Sequence, residues 1–232
     1  MKKRMRKINY KKIIIVFAII LFCGLIFFLY RSLKVKTVYV VGNNFLTESE
    51  ILEETNLLEY PYLYQVSAND IKDKLTKNDL INHVKVSKSI SGKVVIEIEE
   101  NKILYQDTTG KYVLSNNNEI SLENSILGIP TMMNDCSEVR EKLVNKLLLI
   151  DSDIMKHISE IEYKPTELDK ERFMFYMTDG NYVYITLSKI SLINSYNEVY
   201  PTLEGKKGIL YLDSGNHFEI KEKKEEQIDK VE

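Results

Sequence analysis

The sequence is poor in the residues and motifs that build catalytic centres. Its 232 residues include only three histidines, two cysteines and no tryptophan. The histidines are isolated, so no H-E-x-x-H or similar metal-ligand pair occurs, and neither a G-x-S-x-G elbow nor a phosphate-binding glycine loop is present. We therefore predict no catalytic residue, no metal, no cofactor and no small-molecule substrate, and we expect a protein that is not an enzyme.

The formal net charge of −2 excludes a generally basic nucleic-acid-binding protein, so no nucleic-acid partner is expected. This near balance hides an asymmetry. Residues 1–12 carry seven basic side chains and no acidic one. Of the 32 basic residues, 25 remain in 13–232 against 34 acidic ones, which gives that part a net charge of −9. A basic end joined to an acidic body is typical of a chain organised across a boundary.

Residues 13–30 read IIIVFAIILFCGLIFFLY, a run of 18 residues without a charge. As a helix this run would be roughly 27 Å long, close to the hydrocarbon thickness of a bilayer. A helix is needed because lipid offers no hydrogen-bond partner to the backbone. The alternative of a buried helix in a soluble core is disfavoured, because such a helix rarely lacks every charge over this length.

A cleaved signal peptide is the more serious alternative to an uncleaved anchor. It would have a shorter apolar region followed by small residues at a cleavage site. The C-terminal end of this run instead holds large residues, Phe27, Phe28, Leu29 and Tyr30, which favours an uncleaved anchor. The seven basic residues before the span predict a cytoplasmic N-terminus and extracytoplasmic domains, a single-pass type II membrane protein. Cys23 then lies in the membrane and Cys136 outside it, so no internal disulfide is expected.

The pattern after the span predicts two exported units and a tail. Residues 31–101 contain a β-rich strand, two short helices capped by Thr47 and Ser67, and a hairpin of His83–Ile90 with the run around Ile96. Their order is β-α-α-β-β. Residues 102–220 contain short β-rich runs between turn signals, which predicts a β-dominated mixed domain. One helix is predicted from an apolar stripe of Val139, Leu143, Leu147 and Ile150, and another short helix is expected over 191–199. Residues 221–232 hold almost no apolar side chain and predict a disordered charged tail.

The ordered combination resembles the bacterial FtsQ/DivIB family of cell-division proteins. The segment after the span is similar to the POTRA module of that family, and the β domain that follows ends in the similar run 209–215, ILYLDSG. The overall fold class expected is α+β, with a basic stub 1–12, a transmembrane helix 13–30, the POTRA-like module and a β domain with a terminal edge strand. The POTRA resemblance rests on Val35, Val38, Val40, Gly42 and Asn43, and then on Val84, Val86, Val94, Ile96, Ile98 and Glu100.

The resemblance implies a scaffold at the division septum. Family members bind two small single-span coiled-coil proteins, of the FtsL type and the FtsB/DivIC type, and the complex helps control septal peptidoglycan synthesis. The POTRA module is associated with recruitment of other divisome components. The resemblance also implies a partner-binding edge strand near the C-terminus, carried by Tyr211, Leu212, Asp213, Ser214 and Gly215.

Alternatives stay open from the residues alone. The run Asp213–Asn216 also fits a hairpin turn before His217–Ile220, and without the resemblance this turn is favoured. For the whole protein, a membrane-anchored cell-wall enzyme would need convergent carboxylates in a deep pocket of 102–220. A POTRA-containing adaptor for export or folding is the third possibility.

Overall fold

The structure is a computed structural model that describes residues 10–122, 125–203 and 205–220. Most of the basic stub, residues 1–9, and the predicted disordered tail 221–232 lie outside the described residues. The chain divides into two compact units between Glu100 and Asn101. Each unit has its own hydrophobic core.

Helix α1 spans Tyr10–Ser32 and contains the whole uncharged run. It begins before the predicted start at 13 and ends after the predicted end at 30, so it includes Lys11, Lys12 and Arg31. Its side chains are exposed along its full length, and within the described part of the chain none is buried against protein. A helix of 23 residues is about 34 Å long, enough to cross a bilayer. It therefore differs from a core helix of a soluble domain.

The first unit follows the predicted β-α-α-β-β order. Its elements are β1 Thr37–Val41, α2 Glu48–Glu54, α3 Ala68–Leu75, β2 Ile81–Lys88 and β3 Lys93–Glu100, with a 3-10 turn at Leu63–Gln65. The sheet has the order β1-β3-β2, in which β3 runs parallel to β1 and antiparallel to β2. One core joins Ile51 and Leu75 of the helices to Val84 and Ile96 of the sheet.

Local capping explains where both helices of this unit begin. The Thr47 hydroxyl accepts a hydrogen bond from the Glu50 amide at 3.3 Å, and the Glu50 carboxylate accepts one from the Thr47 amide at 2.7 Å. The Ser67 hydroxyl accepts from the Asp70 amide at 3.3 Å. These bonds satisfy amides that the first turn of a helix leaves unpaired. Both predicted caps are confirmed.

The hairpin of this unit differs from its prediction at the turn. The alternation of residues predicts Ile90 on one strand face with Val84 and Val86, but β2 ends at Lys88 and Ile90 lies in the turn with 75% of its surface exposed. The chain turns at Ser89–Gly92, where the Gly92 amide donates to the Ser89 carbonyl at 3.0 Å. Gly92 has a φ of +91°, which glycine adopts without steric cost.

The second unit is built on one large sheet. Its described strands are β4 Ile103–Gln106, β5 Tyr112–Leu114, β6 Glu119–Ile120, β7 Thr131–Met132, β8 Ile158–Tyr163, β9 Arg172–Met177, β10 Tyr182–Thr186, β11 Gly208–Tyr211 and β12 His217–Ile220. Their order is β12-β11-β10-β9-β8-β7-β4-β5-β6. The pairs β4–β7, β7–β8 and β10–β11 are parallel, and the others are antiparallel.

Helices pack on this sheet through one continuous core. They are α4 Arg140–Leu147, α5 Ser152–Met155 and α6 Tyr196–Val199, with 3-10 stretches at Ser137–Val139, Leu187–Ser195 and Tyr200–Leu203. Leu143 and Leu147 of α4 are buried with Phe173 and Phe175 of β9, which confirms the predicted helical stripe. The helix expected over 191–199 is mostly a 3-10 stretch, and its α-helical part begins at Tyr196.

Strand β8 was missed because its pattern is irregular. The buried residues Ile158 and Ile161 are three positions apart, and the pairing with β9 shifts register between Ile158 and Glu160. Such a shift breaks the alternation of apolar and polar residues by which a strand is recognised. Strands β6 and β7 were also missed, because two residues each are too short for any periodicity.

Candidate functional site

The predicted partner-binding residues lie in the C-terminal hairpin of the second unit, which is formed by β11 and β12. Strand β11 pairs in parallel with β10 and antiparallel with β12, so it is hydrogen-bonded along both sides. Tyr211 is the last residue of β11, opposite Tyr184 on one side and His217 on the other. Residues 212–216 form the turn to β12.

The edge-strand position assigned to residues 211–215 is therefore corrected. They form the end of an inner strand and a turn. After this turn the chain continues into β12, which pairs with β11 and is the edge strand of the sheet. Leu212 is only 7% exposed and packs into the core, so its side chain is not available to a partner. Gly215 has a φ of +94°, which the turn requires, and a Cβ there would come no closer than 3.8 Å to a neighbouring atom. Its role is thus conformational.

Asp213 fixes the turn to the body of the sheet. Its carboxylate accepts a hydrogen bond from Arg172 Nε at 2.6 Å, and these side chains are 10% and 19% exposed respectively. Its carbonyl accepts from Lys189 Nζ at 2.8 Å, and the Ser214 hydroxyl bonds the carboxylate at 3.1 Å. Partial burial opposes ionisation, but the hydrogen bonds from Arg172 and Ser214 outweigh it and lower the pKa of Asp213. Asp213 is therefore a charged anchor of the turn.

An aromatic ladder crosses the strands next to this edge. The Arg172 guanidinium lies 3.7 Å from the centroid of the Tyr184 ring, Tyr184 stacks on Tyr211 at 5.4 Å, and Tyr211 stacks on His217 at 4.7 Å. These four side chains come from β9, β10, β11 and β12 in that order. Burial and a hydrogen bond with the Glu219 carboxylate raise the pKa of Tyr211, so its phenol stays neutral. The ladder ends at the sheet edge with the exposed ring of His217.

Strand β12 offers an edge to which another strand could add. It is the terminal strand of the sheet, and its outer side has no strand partner among the residues that the structure describes. Alternate residues of a strand direct their N–H and C=O groups to opposite sides, so part of the backbone of 217–220 faces outward. Ile220 is 51% exposed and Phe218 is half-buried against the core. The opposite edge strand, β6, has only two residues.

Gly208 makes the close packing of this edge possible. A Cβ at this position would lie 2.0 Å from the Glu219 carbonyl oxygen and 2.7 Å from the Phe218 ring. Any larger residue would therefore push β12 away from β11. The sequence analysis missed Gly208, although a glycine at the start of a strand is a recognisable signal of close backbone approach.

The residues of the POTRA resemblance hold the first unit together. Val35, Val38, Val94 and Ile96 are buried in its core. Gly42 follows β1 with a φ of +90°, and a Cβ there would lie 2.1 Å from the Ile98 carbonyl oxygen. No other residue fits this position without moving β3.

Asn43 and Glu100 close the loop after Gly42. The Asn43 side-chain amide donates to the Leu46 carbonyl at 2.8 Å. The Glu100 carboxylate accepts from the amides of Phe45 and Leu46 at 2.8 and 3.0 Å. Residues far apart in sequence therefore act as one clamp across the end of the sheet. Their role in this structure is architectural.

A second group of titratable side chains surrounds a cavity of about 190 Å³ in the second unit. It includes Tyr105, Asp107, Glu119, Cys136 and Arg140. Burial raises the pKa of both the Tyr105 phenol and the Cys136 thiol, so both hold their protons. Cys136 is thus no activated nucleophile.

The charged members of this group already have structural partners. Arg140 pairs with Glu119 and donates through Nε to the Asn117 side chain at 3.1 Å. The Asp107 carboxylate accepts from the Thr109 hydroxyl at 2.7 Å and the Lys111 amide at 2.9 Å. Partial burial opposes its ionisation, but these bonds lower the pKa of Asp107. The Asp107 carboxylate thus stabilises a turn and that of Glu119 holds Arg140, so both have structural roles.

The sequence analysis missed the side chains that organise the hairpin from a distance. Arg172 lies 41 residues before Asp213 in the chain, and Tyr184 belongs to a different strand. No local spacing connects them, because only the pairing of β9, β10 and β11 brings them together.

The N-terminal apolar helix, the β-α-α-β-β unit and the large sheet define the class of this protein. Among the described residues it has one helix long and apolar enough to cross a membrane, a POTRA-type unit, and a β domain whose last strand, β12, pairs on one side only. Residues 33–101 match the family model of the POTRA domain, FtsQ-type.

Curated relatives extend the match over most of the chain. The cell division protein DivIB of Listeria monocytogenes serovar 1/2a (strain ATCC BAA-679 / EGD-e) is 30% identical over 227 residues, covering 94% of this chain and 84% of the relative. DivIB of Bacillus anthracis is 28% identical over 225 residues, covering 92% and 84%. DivIB of Bacillus subtilis (strain 168) is 26% identical over 234 residues, covering 94% and 87%. The chain belongs to the FtsQ/DivIB family.

A solved structure is also similar. It is the major extracytoplasmic domain of the trans isomer of DivIB from Geobacillus stearothermophilus, with 19% identity and a TM-score of 0.38. The likeness covers 46% of this chain and 96% of that one.

Proposed function

We propose that the protein is a non-catalytic scaffold of the division machinery, anchored in the cell membrane. The single observation that carries this proposal is the match to cell division proteins named DivIB over nearly the whole chain. Helix α1 serves as the uncleaved anchor. The seven basic residues before the uncharged run hold the N-terminus in the cytoplasm, so the two units after α1 lie outside.

The edge of β12 is the proposed binding site for a FtsB/DivIC-type partner. A strand that adds to this edge gains affinity from main-chain hydrogen bonds and selectivity from alternate side chains. Residues 211–215 do not contact the partner in this proposal but hold β12 in position. Tyr211 stacks under His217, and Asp213 ties the turn to Arg172. The FtsL-type partner joins the same complex, which helps control septal peptidoglycan synthesis.

The exposed end of the aromatic ladder gives this edge a chemical preference. His217 and the neighbouring Tyr211 present ring surface beside the open backbone. Aromatic rings bury large area with few rotatable bonds, so they favour an apolar or aromatic residue on the added strand. The partner segment is therefore expected to alternate an apolar side chain with polar ones.

A matched pair of isoleucine substitutions tests this site in the full chain. Ile220→Lys places a charge on the edge strand, at a side chain that is 51% exposed, and Ile90→Lys makes the same change in an exposed turn of the first unit. Neither residue belongs to a core. We expect Ile220→Lys to lose co-purification with the DivIC-type protein and Ile90→Lys to keep it. Equal binding by both variants would remove β12 from the proposal.

The POTRA-type unit is proposed to recruit other divisome components. If so, a fluorescent fusion of the full chain forms a band at midcell in dividing cells. Deletion of the POTRA-type unit should weaken that band even when Ile220 is unchanged. A diffuse envelope signal from the unaltered fusion would favour an export or folding adaptor instead.

A further inference from the structure

We propose that Tyr62 and Tyr64 of the first unit lie in the headgroup region of the outer leaflet and hold this unit against the lipid surface. The inference rests on the proposed anchoring of α1 in the membrane. Neither tyrosine is among the partner-binding residues named above. The ligand is the phospholipid bilayer itself.

Backbone hydrogen bonds fix the height of this segment relative to the helix end. The Val35 amide donates to the Pro61 carbonyl at 2.9 Å, and the Leu63 amide donates to the Leu33 carbonyl at 2.8 Å. Lys34 and Tyr62 form an antiparallel bridge between these bonds. Because the pairing is antiparallel, the chain from Pro61 onward runs back toward α1, and therefore toward the membrane.

Side-chain contacts bring the segment level with the last turn of α1. The Arg31 guanidinium lies 4.7 Å from the centroid of the Tyr64 ring, and Lys34 Nζ lies 5.1 Å from that of Tyr62. The two tyrosine rings stack with centroids 5.8 Å apart. Tyr62 and Tyr64 are nevertheless 39% and 38% exposed, so part of each ring is not covered by protein.

The chemistry of this cluster fits a headgroup layer. Tyrosine is enriched at membrane–water interfaces because its ring is apolar and its hydroxyl prefers a polar environment. Arginine and lysine beside it attract lipid phosphates. The cluster adjoins the last turn of α1. The membrane that α1 crosses therefore already lies beside the cluster and can bind it. The unit is then held at the membrane and does not swing on a flexible tether.

A tryptophan scan tests the inference in the full chain. The natural sequence has no tryptophan, so each variant carries a single fluorescent reporter. Tyr62→Trp and Tyr64→Trp probe the site, and Phe22→Trp probes the middle of α1. Phe45→Trp is the matched control, because Phe45 is 43% exposed and bonds to Glu100 at the far end of β3. That end lies about 23 Å from Lys93 at about 3.3 Å per residue.

The variants are reconstituted into vesicles of phosphatidylethanolamine and phosphatidylglycerol, without brominated lipid or with lipids whose acyl chains are brominated either near the headgroup end or near the methyl end. We expect bromines near the headgroup end to quench most of the emission of Tyr62→Trp and Tyr64→Trp, bromines near the methyl end to quench most of that of Phe22→Trp, and neither to change that of Phe45→Trp. Acrylamide, a quencher dissolved in the water, should quench Phe45→Trp most and Phe22→Trp least.

The outcomes separate this inference from the anchor on which it rests. If Phe22→Trp is quenched by lipid while Tyr62→Trp and Tyr64→Trp behave like Phe45→Trp, the inference is wrong and the anchor stands. If Phe22→Trp is not quenched either, the anchor itself fails. Equal lipid quenching at Phe45 also contradicts the proposal, because the whole unit would then lie flat on the bilayer.

Discussion

Replacing Arg172 by methionine should loosen the C-terminal hairpin while leaving the rest of the sheet in place. The substitution removes the hydrogen bond from Nε to the partly buried Asp213 carboxylate and the cation–π contact with Tyr184. It keeps an unbranched side chain of similar length at the start of β9. The hairpin should respond because Asp213 lies in its turn.

The size of the effect follows from the contacts that are lost. A hydrogen bond to a charged group contributes about 1.5–3 kcal/mol, and a cation–π contact about 0.5–2 kcal/mol. The same guanidinium makes both and 19% of the Arg172 side chain remains exposed, so the contributions overlap. The expected loss for local opening of the hairpin is about 2–4 kcal/mol, which corresponds to about 30- to 1000-fold in an equilibrium constant.

Hydrogen exchange of the full chain in detergent micelles measures this opening. The Leu212 and Asp213 amides donate to the Tyr184 carbonyl at 2.8 and 3.2 Å, so a peptide covering 208–216 reports on the hairpin. Lys142→Met is the matched control, since Lys142 pairs with Glu171 but is 52% exposed. Such a surface pair contributes at most about 1 kcal/mol. Exchange in Arg172→Met no faster than in Lys142→Met would refute the reasoning.

Two further predictions concern pH and backbone geometry. Because the folded-state pKa of Asp213 is lowered, its stabilisation is present above the unfolded value of about 3.9 and is lost as pH falls through the folded value. Exchange of 208–216, corrected for its intrinsic rate, should therefore accelerate below about pH 4, and Arg172→Met should largely lack that acceleration. Gly42→Ala should lower the unfolding temperature of the first unit, because the left-handed φ alone costs about 1–2 kcal/mol and the Cβ would clash with Ile98. Gly24→Ala has open space around its Cβ and should leave that temperature unchanged.

Much of the architecture could be predicted from local patterns. The uncharged run, the capping pairs at Thr47 and Ser67, and the alternation around Ile96 each depend on residues close together in the chain. Interactions over one helical turn or one strand are decided by spacing alone, so sequence reasoning finds them. Strand β8 was not predicted because a register shift interrupts its alternation of apolar and polar residues.

The residue pattern alone did not place the candidate site. The family resemblance implied an edge strand at residues 211–215, whereas the residues themselves favoured a hairpin turn over 213–216, and the structure puts residues 211–215 at the end of an inner strand and in a turn. Whether a short apolar run lies at the edge or inside depends on which strand pairs with it next. For β11 that neighbour is β12, and this antiparallel pair agrees with the hairpin turn over 213–216 that the residues alone favoured.

The sequence by itself determined the long apolar helix, the order of elements in the POTRA-type unit and the family resemblance, since these depend on composition and on short spacings. Only the tertiary structure decided that β12 is the open edge, that Arg172 holds Asp213, and that Gly208 lets the last two strands approach. Each of these depends on pairing between segments distant in the chain. Such pairing is selected by the packing of the whole sheet, and neighbouring residues carry little information about it.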